Sequence, residues 1–306
     1  NITPRINSGT MHGEIRMRDE VIKGYVNELD TLARMLVSET NKLHVSGQGL
    51  ERFNQLTSSN NVPNPEWKLS TAAGYLPYDI QDGSFQIHIY DTEGKLVDSY
   101  NIHVDAETDT LNGVAEKIRA ADGDLTNGLL DATVLGDNSL RLRVEPGHTF
   151  AFGADTSGFL SAAGFNNFFS GIDSATIDID KFIKENPKYI ACADHAGGVG
   201  NNRVAQKIIE LKHDKMSNGI SIDEFYGYMT GKIAIDKQQI DVLVTTKNLS
   251  YNELFLKHQN IKGVSLEEEQ INMVVFQRML EANSRYVNAV DEMLNLIVNN
   301  LGLVGR

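Results

Sequence analysis

The residues that could do chemistry are few and scattered. The most enzyme-like patch is "CADHAGGVG" at 192–200, where the only cysteine, Cys192, stands close to His195. A thiol and an imidazole act as nucleophile and base only if they meet in space and a third group orients the ring. The neighbouring residues supply no such group. "GGVG" at 197–200 lacks the Lys-Ser/Thr that follows in a phosphate loop, and no buried strand precedes it. It reads as a glycine-rich loop leading into a helix. The 8 histidines include no HExxH and no i, i+4 pair on a helix. His88 and His103 fall on the polar side of alternating strands and are expected to face solvent. "DID" at 178–180 would point Asp178 and Asp180 the same way from a strand, which suits a solvated face better than a weak cation site. The sequence therefore predicts no catalytic residue, no cofactor and no metal site.

Bulk properties narrow the partners. The chain has 306 residues, enough for two or three domains. Its net charge of −13 is spread along the length, which disfavours sequence-independent binding to nucleic acid and adsorption to anionic membranes. No apolar run is long enough to span a bilayer. One cysteine rules out an intrachain disulfide. The first residue is Asn1 and no cleavable signal peptide is visible, so the chain is expected to be part of a longer product.

Three textures follow one another along the chain. Residues 12–45 are expected to be a helix, because Ile15, Ile22, Leu29, Leu36 and Leu43 recur every seven residues. These five are the candidate packing positions of a helical rod. "SGQG" at 46–49 ends the helix, and Pro63 and Pro65 mark a polar stretch. From about 70 to 190 the pattern alternates. Phe85, Ile87 and Ile89, the turn "DTEG" at 91–94, and Leu96, Tyr100, Ile102 and Val104 predict a β-hairpin. A short helix through Leu111, Val114, Ala115 and Ile118 follows, N-capped by Asp109 or Thr110. Two further strands, 130–134 and 140–144, flank "GDN" at 136–138, giving a β-β-α-β-β unit. "FLSAAGFNNFFSG" at 159–171 reads as a loop or short helix anchored by aromatics, and 175–180 as a strand. Helices resume near 200–216 and from Ser221 to about 260, the latter opened by a Ser221/Glu224 capping box.

The last element is the most regular. From Ser265 to Gly302 no glycine or proline intervenes. Leu266, Met273, Leu280, Val287, Leu294 and Leu301 are seven apart, and Phe276, Val290 and Ile297 follow at the d spacing, with Asn283 among them. Ser265 and Glu268 form a second capping box, and Glu267 and Glu269 suit the positive end of the helix. Met279, Tyr286 and Met293 widen the stripe. Such a stripe needs partners, either elsewhere on this chain or on other chains.

The segment "GVSLEEEQINMVVFQRMLEANSRYVNAVDEMLNLIVNNLGLVGR" at 263–306 resembles the C-terminal signature of the bacterial flagellar axial proteins. The matching pairs are Glu268-Glu269, Phe276-Gln277, Ala282-Asn283 and Met293-Leu294. The closing "GLVGR" is similar to the hook-associated members at the hook–filament junction. "GEIRMRDEVIKGYVNELDTLARMLVSETNKLH" at 13–44 resembles the long inner helix of that group. "FFSGIDSATIDID" and "NPKYIACAD" resemble its return from the outer domain. The "GHNIANA"-like start of the family is not present, so the chain reads as its C-terminal part.

The resemblance implies a structural junction protein of the bacterial flagellum that connects hook to filament and polymerises through its terminal helices. It implies an extracellular location, reached by export without a cleaved signal peptide. The implied partners are other copies, the hook protein, the next hook-associated protein, and an export chaperone on the C-terminal helix. The expected class is α+β: a long-helix rod with a coiled-coil C-terminal helix and an inserted β-rich domain. The expected divisions are 1–65 and 191–264 for the rod, 66–190 for the insertion and 265–306 for the assembly helix. The alternative reading is a surface adhesin or carbohydrate-binding module on a coiled-coil stalk.

Overall fold

The apolar repeat of the first forty-five residues does form a helix. In a computed structural model that describes residues 8–72, 75–123, 128–194, 200–216 and 219–301, α1 (Gly9–Arg16) continues through a π-helical turn (Met17–Ile22) into α2 (Lys23–Val45). Ser46 Oγ returns to the Lys42 carbonyl at 3.0 Å, and the Gly47 amide to the His44 carbonyl at 3.1 Å. Gly47 is required there. A Cβ at that position would lie 2.9 Å from both Ala191 Cβ and Val204 Cγ2, side chains of the chain returning to the helix.

The β region follows the expected order. After β1 (Gln55–Thr57) and a single turn of helix, α3 (Leu69–Ala72), β2 (Gly83–Tyr90) and β3 (Leu96–Val104) form the hairpin. Its turn is held by Asp91, whose Oδ1 accepts from the Glu93 and Lys95 amides at 2.9 Å, while Gly94 supplies φ +78°. Helix α4 (Leu111–Ala121) comes next, with Thr110 Oγ1 accepting from the Gly113 amide at 3.0 Å. Thr110 is thus the cap. Asp109 instead binds the Asp105 amide and Lys117 Nζ, at 2.8 and 2.6 Å. The hairpin β4 (Leu130–Val134) and β5 (Leu140–Val144) completes the β-β-α-β-β unit.

Two strands from outside that unit finish its sheets. β6 (Thr149–Asp155) pairs with β2 in the order β3-β2-β6, and β1 pairs with β5 in the order β1-β5-β4. Neither is legible from alternation. In β6, Phe150, Ala151, Phe152 and Gly153 are all buried, so both faces are covered and the period of two disappears. β1 has only three residues, with Leu56 facing in. One core spans both sheets and α4. Its largest fully buried members include Phe85, Phe150, Phe152, Ile118 and Leu142, and Val45 at the end of α2 joins it.

The return path is built from short pieces. Gly158, at φ +71°, leads into α5 (Phe159–Ala163), whose start is held by Asp155 accepting from the Ser157, Gly158 and Leu160 amides. The expected strand at 175–180 reduces to β8 (Asp178–Ile179), paired with β7 (Phe169–Ser170). Asp180 leaves the strand to cap α6 (Lys181–Glu185), accepting from the Phe182 amide at 2.8 Å. Helix α7 (Arg203–Glu210) is shorter than the expected 200–216. Helix α8 (Ile222–Lys262) opens with both halves of the predicted capping box, Ser221 N to Glu224 Oε2 at 3.0 Å and Glu224 N to Ser221 Oγ at 3.2 Å.

The chain divides into two units, 1–233 and 234–306. The first holds all three described sheets and the helices up to the start of α8, where Lys232 pairs with Glu28 of α2. The second holds the remainder of α8, then α9 (Leu266–Leu296) and a closing π turn (Ile297–Leu301). The chain is α+β, with long helices and small antiparallel sheets. No described helix is long and apolar enough to cross a membrane.

Candidate assembly surface

Helix α9 starts with the Ser265 half of the expected capping box. Ser265 Oγ accepts from the Glu268 amide at 3.3 Å, and Glu267, Glu268 and Glu269 fill the first turn. Beyond that point the apolar seam is largely open, and no described residue of its unit is buried. Leu266 is 78% exposed, Phe276 and Leu280 each 69%, and Leu294 51%; Met273, Val287 and Ile297 are exposed too, and Val290 is half-buried. The side chain of Leu301 lies outside the described residues. Residues seven apart advance about 10 Å along a helix and stay nearly on one face, so these side chains form one continuous apolar row. Met279, Tyr286 and Met293 flank it and are exposed as well. From Ala234 onward no described residue is buried, and Ile240, Leu243 and Leu254 of α8 are likewise open.

The seven-residue stripe of the first helix has a different fate. Ile22 and Leu29 are exposed, while Ile15, Leu36 and Leu43 are half-buried. The face that α2 buries is a neighbouring one: Ala33, Val37, Thr40, Asn41, His44 and Val45. It packs against α5, α7, β6 and β7.

Two polar residues on that face were not singled out by sequence reasoning. Asn41 is fully buried and binds the backbone of Phe169 twice, Nδ2 donating to its carbonyl and Oδ1 accepting from its amide, both at 2.9 Å. Its Nδ2 also reaches the Tyr78 hydroxyl at 3.2 Å. Burial pushes the Tyr78 phenol up to about 12, against a smaller opposing effect of that hydrogen bond. His44 lies between the Asn166 carbonyl, 2.7 Å from Nδ1, and the Ala191 amide, 2.9 Å from Nε2. Burial lowers its pKa to about 4, partly offset by the bond to Asn166. The signal that could have found both is a polar residue at i, i+3 spacing within an otherwise apolar face.

Among the described residues the candidate chemical groups stand apart from one another. Cys192 is exposed, and its amide donates to the Gln48 carbonyl at 3.1 Å. His195 and residues 196–199 lie outside the described residues. His103 is exposed as expected, but His88 is buried, which corrects the expectation for it. Its strand is central, and Gln48 and Arg52 cover the same face at Tyr90: Gln48 Nε2 donates to the Tyr90 hydroxyl at 2.8 Å, and the Arg52 guanidinium lies 3.9 Å from the ring centroid. Gly153 on β6 leaves room for the imidazole, since a Cβ there would be 2.4 Å from Nε2. Ser99 Oγ lies 2.9 Å from His88 Nδ1. The two carboxylates of "DID" separate: Asp178 pairs with Lys184 at 2.5 Å, which lowers its pKa, and Asp180 is a helix cap. Among the described residues no group of three His, Cys, Asp or Glu could hold a metal.

The exposed row and its acidic helix start coincide with a known sequence family. Residues 259–301 match the family described as "Flagellar basal body rod FlgEFG protein C-terminal". The chain is similar to flagellar hook-associated protein 1 of Bacillus subtilis (strain 168), 30% identical over 113 residues, 36% of this chain and 22% of that protein. It is also similar to flagellar hook-associated protein 1 of Escherichia coli (strain K12), 21% identical over 171 residues, 51% of this chain and 31% of that protein. The matched stretches span less than a third of either relative. The crystal structure of the flagellar cap protein FliD D2–D3 domains from Escherichia coli aligns at 16% identity over 44% of this chain and 63% of that one, with a TM-score of 0.19, too low to carry an argument.

Proposed function

We propose that this chain is part of a structural protein of the bacterial flagellum, a hook-associated protein that joins hook to filament. The observation that carries the reading is the open apolar row of α9, lying within the stretch that matches the flagellar family. A soluble helix leaves such a row uncovered only when another surface is to cover it. In this reading Leu266, Met273, Phe276, Leu280, Val287, Val290, Leu294, Ile297 and Leu301 are subunit contacts in the assembled tube. Its partners are other copies, the hook protein and the next hook-associated protein. Before assembly an export chaperone covers the same helix, and the protein reaches the cell exterior without losing a signal peptide. The stripe Ile15, Ile22, Leu29, Leu36 and Leu43 then belongs to a helical rod, and the β-rich region is an insertion carried outside it. The role is mechanical and needs no catalytic residue.

Electron microscopy of cells lacking the gene tests this. The expected result is intact hooks without attached filaments, with filament protein released into the medium. Normal filaments on normal hooks would refute the junction role.

A further inference from the structure

The joint between α2 and the β-rich region contains a buried imidazole with a fixed job on each nitrogen. His44 Nε2 faces a backbone amide, Ala191 N–H, so it must accept. Nδ1 faces a backbone carbonyl, that of Asn166, so it must donate. Only the neutral ring protonated on Nδ1 satisfies both. The two partners lie in the chain returning from the β-rich region, while His44 ends the helix from which the chain departs. The return is pinned to the departing chain nearby: the Gln48 amide donates to the Ala193 carbonyl at 2.8 Å, and the Ala193 amide to the Gln48 carbonyl at 3.1 Å. Phe168 packs its ring 5.4 Å from the imidazole.

We propose that His44 is a proton-operated latch, and that its protonation at acidic pH releases the returning segments around Asn166 and Ala191 from the end of α2. A proton on Nε2 would turn the acceptor into a second donor aimed at the Ala191 N–H. It would also place a cation in a site from which water is excluded.

Among the described residues the ionisable groups on the elements packed against His44 are paired or exposed. On α2 itself, Lys42 is paired with Glu39 at 2.8 Å. On the returning chain, Lys188 is paired with Glu51 at 2.6 Å and Asp194 with Arg203 of α7 at 3.0 Å. Lys207 and Glu210 of α7 are exposed, and the segment 159–172 contains no ionisable residue. The folded ring stays neutral down to about pH 4, whereas the unfolded chain takes up its proton near 6.5. Stability from this group is therefore complete above pH 6.5 and is lost as pH falls toward 4. At pH 4 the folding equilibrium constant is lower by about a hundred-fold from His44 alone. The proposal stands independently of the flagellar reading.

The test is amide hydrogen exchange on the whole chain at pH 7.0 and 4.5, corrected for intrinsic rates, with the ring nitrogens followed by NMR. The expected result is an Nδ1-protonated ring at pH 7, and at pH 4.5 at least a ten-fold loss of protection at Ala191 and the Gln48–Ala193 pair that exceeds the loss in β2. The His44→Gln variant should show no such excess loss between the two pH values. If that variant fails to fold, the wild-type ring decides alone. A ring titrating near 6.5 while Ala191 protection is unchanged would overturn the proposal. So would equal pH dependence in wild type and His44→Gln.

Discussion

Replacing Leu280 by Asp separates the two surfaces a seam residue could face. In the single chain Leu280 is 69% exposed and no described residue of its unit is buried. The substitution therefore removes little packing there, and the expected cost is the difference in helix propensity, about 0.5 kcal/mol. If the row is covered in an assembled tube, the same change removes a buried leucine, at about 2–5 kcal/mol. Unless the new carboxylate protonates or the helix shifts, an unpaired buried charge adds to that. Subunits repeat along a tube, so each copy carries the penalty. The first assay is urea unfolding of the purified chain, followed separately by far-UV circular dichroism and by the fluorescence of Trp67. The second is motility and filament retention of cells carrying the full-length gene with the same change, with secreted protein measured in the medium. The expected outcome is a loss of no more than about 0.5 kcal/mol in the lone chain, secreted protein and lost filaments. Cytoplasmic retention would place the defect at the chaperone step instead. A loss above about 2 kcal/mol in the lone chain would mean that α9 packs on its own chain, and normal filaments would mean that the row is not a subunit contact. Either result would refute the reasoning.

Other consequences are simpler to measure. Asn41→Ala strands the Phe169 amide and carbonyl, which lose bonds of 2.9 Å, and should cost about 2–4 kcal/mol in urea unfolding of the first unit; a loss below 1 would show that water replaces the side chain. Gly171→Ala forces a non-glycine residue to φ +81° and puts a Cβ 2.2 Å from the Thr176 carbonyl oxygen, so a loss of about 2 kcal/mol is expected from the backbone alone, and an unchanged melting temperature would contradict the geometry. Hydrogen exchange of the isolated chain should be slow in β2, β6 and residues 33–45 and fast across 234–296, because helices without tertiary contacts open locally. Uniform protection would disprove this. Replacing 66–190 by a short linker should expose Val45, Phe53 and Leu56, which share the core with the sheets, and broaden the melting of α2; unchanged cooperative melting would show that α2 has an adequate core of its own.

Local chemistry made much of this protein readable. The Asp91–Gly94 turn, the Ser221/Glu224 box and the Ser265 cap are satisfied by residues within a few positions of one another, so the sequence determines them without knowledge of the rest, whereas the choice of Thr110 over Asp109 as a cap came from the structure. The regular period of α9 was legible too: it is a long helix whose described side chains stay largely exposed, so little packing overrides its seven-residue pattern. Tertiary structure decided the features that depend on distant neighbours. The face that α2 buries is rotated away from its best apolar stripe because the elements returning at 159–170 and 189–204 dock there through Asn41, His44 and the cramped Gly47. β6 escaped notice because burial on both faces erases alternation, and His88 is inside because Gln48 and Arg52 cover its face while the missing side chain of Gly153 makes room for it. A pattern along the chain specifies which residues could be buried; which of them are buried depends on what the rest of the chain brings against them.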